Sequence, residues 1–204
     1  MDGTGTTRLE TYSDGVFAIA ATLLVLEIGV STSNGEDLGS ALLHLWPSYL
    51  AYVTSFITIG IIWMNHHTCV DTIGRADRPF LFLNLLLLMT VAFLPFPTKL
   101  VADYLQKPGE RAAVIAYAAT FVVMAVIYNS WWRYASKGRR LIAEDVPQAR
   151  VDAISRAFNP GPPIYLATLV VAFFSPLASV FLTFAIAAFY LPSAALFERG
   201  GKPA

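Results

Sequence analysis

RLETYSDGVFAIAATLLVLEI, residues Arg8 to Ile28, is the stretch on which the fold turns. It sets Arg8, Glu10, Ser13 and Asp14 at the mouth of an apolar helix long enough to cross a bilayer. Ionisable groups at that depth are costly, so they are functional candidates by default. Beyond them Ile19, Leu23 and Leu26 fall at i, i+4 and i+7, one narrow helical face. Tyr12 and Gly15 extend that seam in one direction and Val30 in the other. On spacing alone such a seam is a packing surface more often than a pore lining. Thr22 stands about 60° from Ile19, beside the seam, and Asp14 about 140° away. If the seam lines a pore, Asp14 faces other helices and needs partners, because a buried unpaired carboxylate is very costly.

Composition agrees with a membrane setting. The 204 residues are 56% apolar and only 14% charged, against roughly 25% charge in soluble domains. The net charge of zero offers no basic surplus for phosphates, which argues against a nucleic-acid partner. One cysteine, Cys69, excludes an intrachain disulfide. The first apolar run follows a mixed-charge stretch with no small-residue cleavage site, so it is expected to remain as the first span.

The expected fold is an all-α integral membrane domain, residues 1–204, with six spans at about 8–30, 42–69, 79–101, 110–135, 162–174 and 176–197. Thr7 and Glu10 form a T-x-x-E capping box ahead of the first apolar run. The loop from Ser31 to Ser40 breaks the helix. Pro95 and Pro97 should kink or end the third span near its far side. Ser175 is a good helix cap and Pro176 a good first residue, so a tight turn separates the last two spans. The fifth needs Pro162 and Pro163 in its first turn to reach across. Residues 136–159 read as a short cytoplasmic helix or linker.

Charge sets the orientation. With both termini cytoplasmic, the inner segments hold Arg8, Arg75, Arg78, Arg133, Lys137, Arg139, Arg140, Arg150, Arg156, Arg199 and Lys202. Only Lys99, Lys107 and Arg111 lie outside, as the positive-inside rule prefers.

In this topology the second span descends to WMNHHT, Trp63 to Thr68, and the third starts with RADRPFLFLN, Arg75 to Asn84. Trp63, Asn65, His66, His67 and Asn84 then share the level of Arg8, Ser13 and Asp14. A hydrogen-bonded network coupling the first helix to the second and third is expected, either as a packing clamp alone or with a part in conduction. Two adjacent histidines point about 100° apart and cannot easily share one ion. His66 with Cys69 is better spaced, but two ligands are too few for zinc, so no metal site and no cofactor are expected. No catalytic motif of hydrolases or phosphate-binding loops is present. Glu27, near the outer end of the first helix, either attracts cations or is a solvated surface carboxylate.

The stretch from Arg8 to Ile28 closely resembles the signature of the transmembrane protein 175 family of potassium channels in its prokaryotic, single-repeat form. That signature is an Arg followed by Phe-Ser-Asp and then V-F-A-I-A-x-T-L-L-x-L-E-I. Trp63, Asn65, His66, His67 and the R-P-x-x-x-x-N pattern from Arg78 to Asn84 are similar too. Tyr12 departs from the usual Phe. The resemblance implies a homotetrameric cation channel in a prokaryotic inner membrane, with no carbonyl filter, passing potassium and other monovalent cations. It implies that the first helix lines the pore, with Ile19, Leu23 and Leu26 as constriction and Thr22 linked to selectivity. It maps Arg8, Ser13 and Asp14 to positions that join helices near the pore. Two rival readings stay open. One is a proton-coupled secondary transporter using Asp14 and His66 or His67, which would call for discontinuous helices and an inverted repeat. The other is a membrane enzyme built around the histidines.

Overall fold

A computed structural model describes the backbone of residues 4–29 and 37–197, and the side chains of 6–29 and 37–192. Among the described residues the chain is helical throughout, with no strand beyond one isolated bridge. Five helical stretches are long and apolar enough to cross a membrane: 6–27, 46–70, 78–104, 110–139 and 148–174. A shorter apolar helix, 176–192, follows. Val30, residues 31–36 of the expected loop, Arg199 and Lys202 lie outside the described residues.

Helix α1 runs Thr4–Leu23 and tightens into one 3₁₀ turn, Leu24–Glu27. It starts before Thr7, so the expected capping box is not formed. Thr7 lies inside the helix, where its carbonyl accepts from the Thr11 hydroxyl at 2.9 Å, and Glu10 is turned toward another helix. The second apolar segment divides. A short α2, Leu38–His44, is capped by Asp37, whose carboxylate accepts from Gly39 N at 3.0 Å and from Ser40 N at 3.4 Å. The spanning helix α3 begins only at Trp46 and ends at Val70. Pro47 is the reason for the later start than residue 42. It has no N–H to give the carbonyl four residues back, so the chain breaks at Leu45.

Asp77 caps α4, Arg78–Phe93, through Phe80 N at 2.9 Å. At Leu94, before Pro95, the helix kinks and continues as α5, Pro95–Tyr104. Leu94 keeps helical angles, so the prolines bend the span without ending it. A buried hydroxyl chain fixes the bend. Thr98 donates to Leu94 O at 2.8 Å. Its proton is then committed, so Ser55 donates to Thr98 at 2.8 Å and Tyr117 to Ser55 at 2.9 Å. Three helices are joined in this way, since Tyr117 belongs to α6, Glu110–Ser136.

The linker after α6 folds back on the α3–α4 turn. Gly74 N donates to Leu141 O at 2.9 Å and Ala143 N to Thr72 O at 3.0 Å. A Cβ at Gly74 would stand 2.9 Å from Ala143 Cα, so the approach requires glycine. The linker then forms α7, Gln148–Phe158, seated by Val151, Ile154 and a 2.9 Å bond from Trp132 Nε1 to Ser155 Oγ. After a two-residue turn α8 runs Gly161–Phe174. Ser175 breaks the chain and α9 runs Pro176–Phe197. The Ser175 hydroxyl accepts from Ala178 N at 3.4 Å, as its capping position predicts. The core lies where α1, α3, α4 and α6 meet, around the fully buried Trp131, Tyr117, Phe80 and Phe121.

Candidate functional site

Helix α1 has two unlike faces. Leu9, Ser13, Phe17, Ala20 and Leu24 are buried against the rest of the chain. On the other side Ile19 is 62% exposed, Leu23 41% and Leu26 72%. Tyr12, Gly15 and Thr22 are exposed on that side too. The seam read from spacing is therefore not a packing surface within this chain. Thr22 donates its hydroxyl to Ile19 O at 2.9 Å, within its own helix. Its methyl and oxygen flank the seam.

The buried face is held by a directed chain of hydrogen bonds. His66 on α3 donates from Nε2 to Asn84 Oδ1 on α4 at 2.8 Å. Asn84 Nδ2 donates to Ser13 Oγ on α1 at 3.1 Å. Ser13 donates to Leu9 O at 2.8 Å. The carbonyl of Asn84 can only accept, so the proton of this bond belongs to His66 Nε2. All three side chains are buried, and an unmade bond in this place would cost about 1–3 kcal/mol. The imidazole is clamped between Trp131, stacked at 4.9 Å, and Phe17 at 5.5 Å. Trp131 in turn stacks on Phe80 at 5.0 Å.

A second tie lies a quarter turn away. Trp63 Nε1 donates to Asp14 Oδ1 at 2.8 Å, the partner that the buried-side carboxylate required. One turn closer to the helix start, His67 Nδ1 donates to Glu10 Oε1 at 2.9 Å. Asp71 lies 4.0 Å from the other ring nitrogen of His67. Ligand atoms of Glu10, His67 and Asp71 fall within 4.8 Å of one another, the only such group among the described residues. The His66–Cys69 pair is not brought together: His66 is committed to Asn84, and Cys69 Sγ lies 3.5 Å from the Tyr128 hydroxyl. No hydrogen bond joins Asp14 to either histidine among the described residues.

Two expected network members stand apart. Arg8 is exposed, and no hydrogen bond or ion pair ties it to the network among the described residues. The reason is azimuth. It precedes Ile19 by eleven positions, about three helical turns, and so falls on the uncovered seam. Asn65 shares the level of the network but points to the opposite side of α3, into a cavity against α6 and α8. Glu27 is ion-paired with Lys99 at 3.7 Å, and Lys99 also reaches Asp103 at 3.6 Å. Sequence reading missed Trp131 and Phe80 as walls of the histidine site. It also missed Tyr134, which donates to Asp77 Oδ2 at 2.8 Å. Asp77 carried a signal, since Asp before Arg-Pro marks a helix start. Trp131 carried none, being one of two adjacent tryptophans in a long apolar run.

Comparison with known proteins shows the family. Residues 8–95 match the family described as endosomal/lysosomal potassium channel TMEM175. A protein of Chamaesiphon minutus named as a potassium channel is 46% identical over 83% of this chain and 85% of its own length. One of Streptomyces collinus with the same description is 43% identical over 82% of each. The crystal structure of a lysosomal potassium-selective channel TMEM175 homolog from Chamaesiphon minutus superposes with a TM-score of 0.85 at 42% identity, covering 93% of this chain and 97% of that one. These relatives are channels and not enzymes, which removes the reading built around the histidines. With its signature helix, its all-helical fold and this degree of likeness, the chain belongs to the TMEM175 family.

Proposed function

We propose that the chain is a potassium-permeable channel of a prokaryotic inner membrane, assembled from four copies around α1. The carrying observation is the bare aliphatic face of α1, with Ile19 and Leu26 each more than half exposed while the opposite face is tied down by polar bonds. An exposed apolar stripe faces either lipid or other copies, and the names of the relatives favour a conduction path. One lining helix cannot enclose a path, so copies must close a ring. Six spans, the last formed by α9, put both termini on the cytoplasmic side, in keeping with the distribution of Lys and Arg.

In this assembly Ile19, Leu23 and Leu26 form successive apolar rings. A narrow aliphatic throat holds water poorly, and an ion must shed part of its shell to pass. Potassium sheds water more cheaply than sodium, so a throat without carbonyls favours potassium to a limited degree. Thr22 adds a ring of hydroxyl groups between the apolar layers. The Ser13–Asn84–His66 and Asp14–Trp63 ties set the rotation of α1 and hence the aim of the rings.

Recording of the purified protein in planar bilayers under a potassium/sodium gradient tests this. Ile19→Asn should raise conductance and weaken the preference for potassium. Unaltered current and ion preference in that variant would sink the constriction.

A further inference from the structure

A cavity of about 260 Å³ lies between α3, α6, α7, α8 and α9, on the side of α3 away from α1. Its walls are apolar: Ile61, Phe121, Met124 and Ala125, with Tyr165 across from them and Phe189 at the rim, 75% exposed. It is larger than the cavities of about 150 Å³ that stay dry and take a benzene ring. Two amides, together with Tyr128, Tyr165 and Tyr190, break the apolar lining. Asn65 makes no hydrogen bond among the described residues, although it is only partly exposed. Asn129 uses its NH₂ group twice, on Ala125 O and Phe158 O, both at 3.1 Å, and among the described residues no hydrogen bond reaches its carbonyl oxygen. Asn65 lies five residues from the end of α3 and Asn129 seven from the end of α6, about 8 and 10 Å along the helices. That sets both amides near the border of a hydrocarbon core about 30 Å thick.

We propose that this cavity is a binding site for a glycerolipid, with one acyl chain filling the apolar part and an ester or hydroxyl group of the glycerol hydrogen-bonded by Asn65 and Asn129. The medium around these helices is lipid. An unpaired amide there calls for a partner that brings polar and apolar parts together. A glycerolipid places such a polar group at the border where the two amides lie, and its chain enters past Phe189. A buried water would serve the amides but leave the apolar volume unfilled. The site is independent of the pore reading, and its test needs no current.

Trp131 and Trp132 flank the cavity as reporters. Trp131 is 5.6 Å from the ring of Tyr128, and Trp132 is 6.3 Å from that of Phe158, both residues of the lining. The full-length protein in detergent is titrated with a monoacylglycerol carrying bromine on its chain, and tryptophan emission is followed. The expected result is saturable quenching in the wild type. Ala125→Phe, which fills the cavity, should raise the half-saturating lipid fraction at least about tenfold, equal to roughly 1.4 kcal/mol. Asn65→Leu should raise it about fivefold for the glyceride, the weight of one neutral hydrogen bond, and leave quenching by a brominated alkane unchanged. Gly161→Leu fills the cavity from another wall if Ala125→Phe does not fold, since a Cβ at Gly161 meets only Asn129 Nδ2 at 3.8 Å. Linear quenching that is the same in the wild type and every variant would overturn the proposal and leave only surface lipid.

Discussion

The two ends of this chain are held together differently. At the N-terminal end, α1 is joined to α3 and α4 by side chain to side chain bonds: His66–Asn84–Ser13, Trp63–Asp14 and His67–Glu10. Toward the C-terminal end, α8 and α9 meet through apolar packing and, among the described residues, a bond from Ser179 Oγ to Thr168 O at 2.8 Å. Apolar packing limits the rotation and sliding of two helices only through the fit of their surfaces, because the attraction itself has no direction. A directed hydrogen bond does not tolerate such motion. The bonds of α1 fix its rotation, which the proposed aliphatic rings on its opposite face would need. The α8–α9 pair presents Phe173, Phe174 and Phe189 outward, where aim matters less.

Single substitutions at the two ends test this contrast. The largest loss is expected for His66→Ala, which removes the stacked ring and strands Asn84. It should cost about 3 kcal/mol or more by analogy with large-to-small core changes. The thermal midpoint of the purified protein would read this, and an unchanged midpoint would refute the clamp. Asn84→Leu keeps the volume but leaves the His66 N–H without an acceptor. A loss of about 2 kcal/mol is expected, and it should not add to Ser13→Ala, because the two residues share one bond. Full additivity in that cycle would mean that the chain is not a unit. Ser179→Ala at the other end should cost about 1 kcal/mol and add to Ser13→Ala, since the sites share no partner. The smallest effect on stability is expected for Thr22→Val, within about 0.5 kcal/mol, because its hydroxyl bonds only to its own helix. The same variant should shift ion preference in bilayer recording if the exposed face of α1 lines the path. A large fall in midpoint would instead place Thr22 in a packing contact.

Much of this was legible in the residues. The seam at 19, 23 and 26, the kink at Pro95 and the break at Ser175 follow from spacing and from what proline and serine do to a helix end. The level of the polar cluster was legible as well. Each residue advances a helix by about 1.5 Å, so once the spans are placed, Ser13, Trp63, His66 and Asn84 must lie at similar depth. Arg8 and Asn65 mark where this runs out. Both share that depth, yet one lies on the bare face of α1 and the other in the cavity behind α3. The late start of α3 was legible in Pro47 but masked by the apolar run before it.

Depth, span and the angular spacing of side chains round one helix are local, because they depend only on helical geometry and on where the apolar runs begin and end. The amino-acid order determined them. Which way each helix turns toward its neighbours is decided by packing among segments far apart in the chain. Only the tertiary structure could therefore select Trp63 for Asp14, Asn84 for Ser13 and the Trp131 stack for His66, and leave the Ile19 face bare.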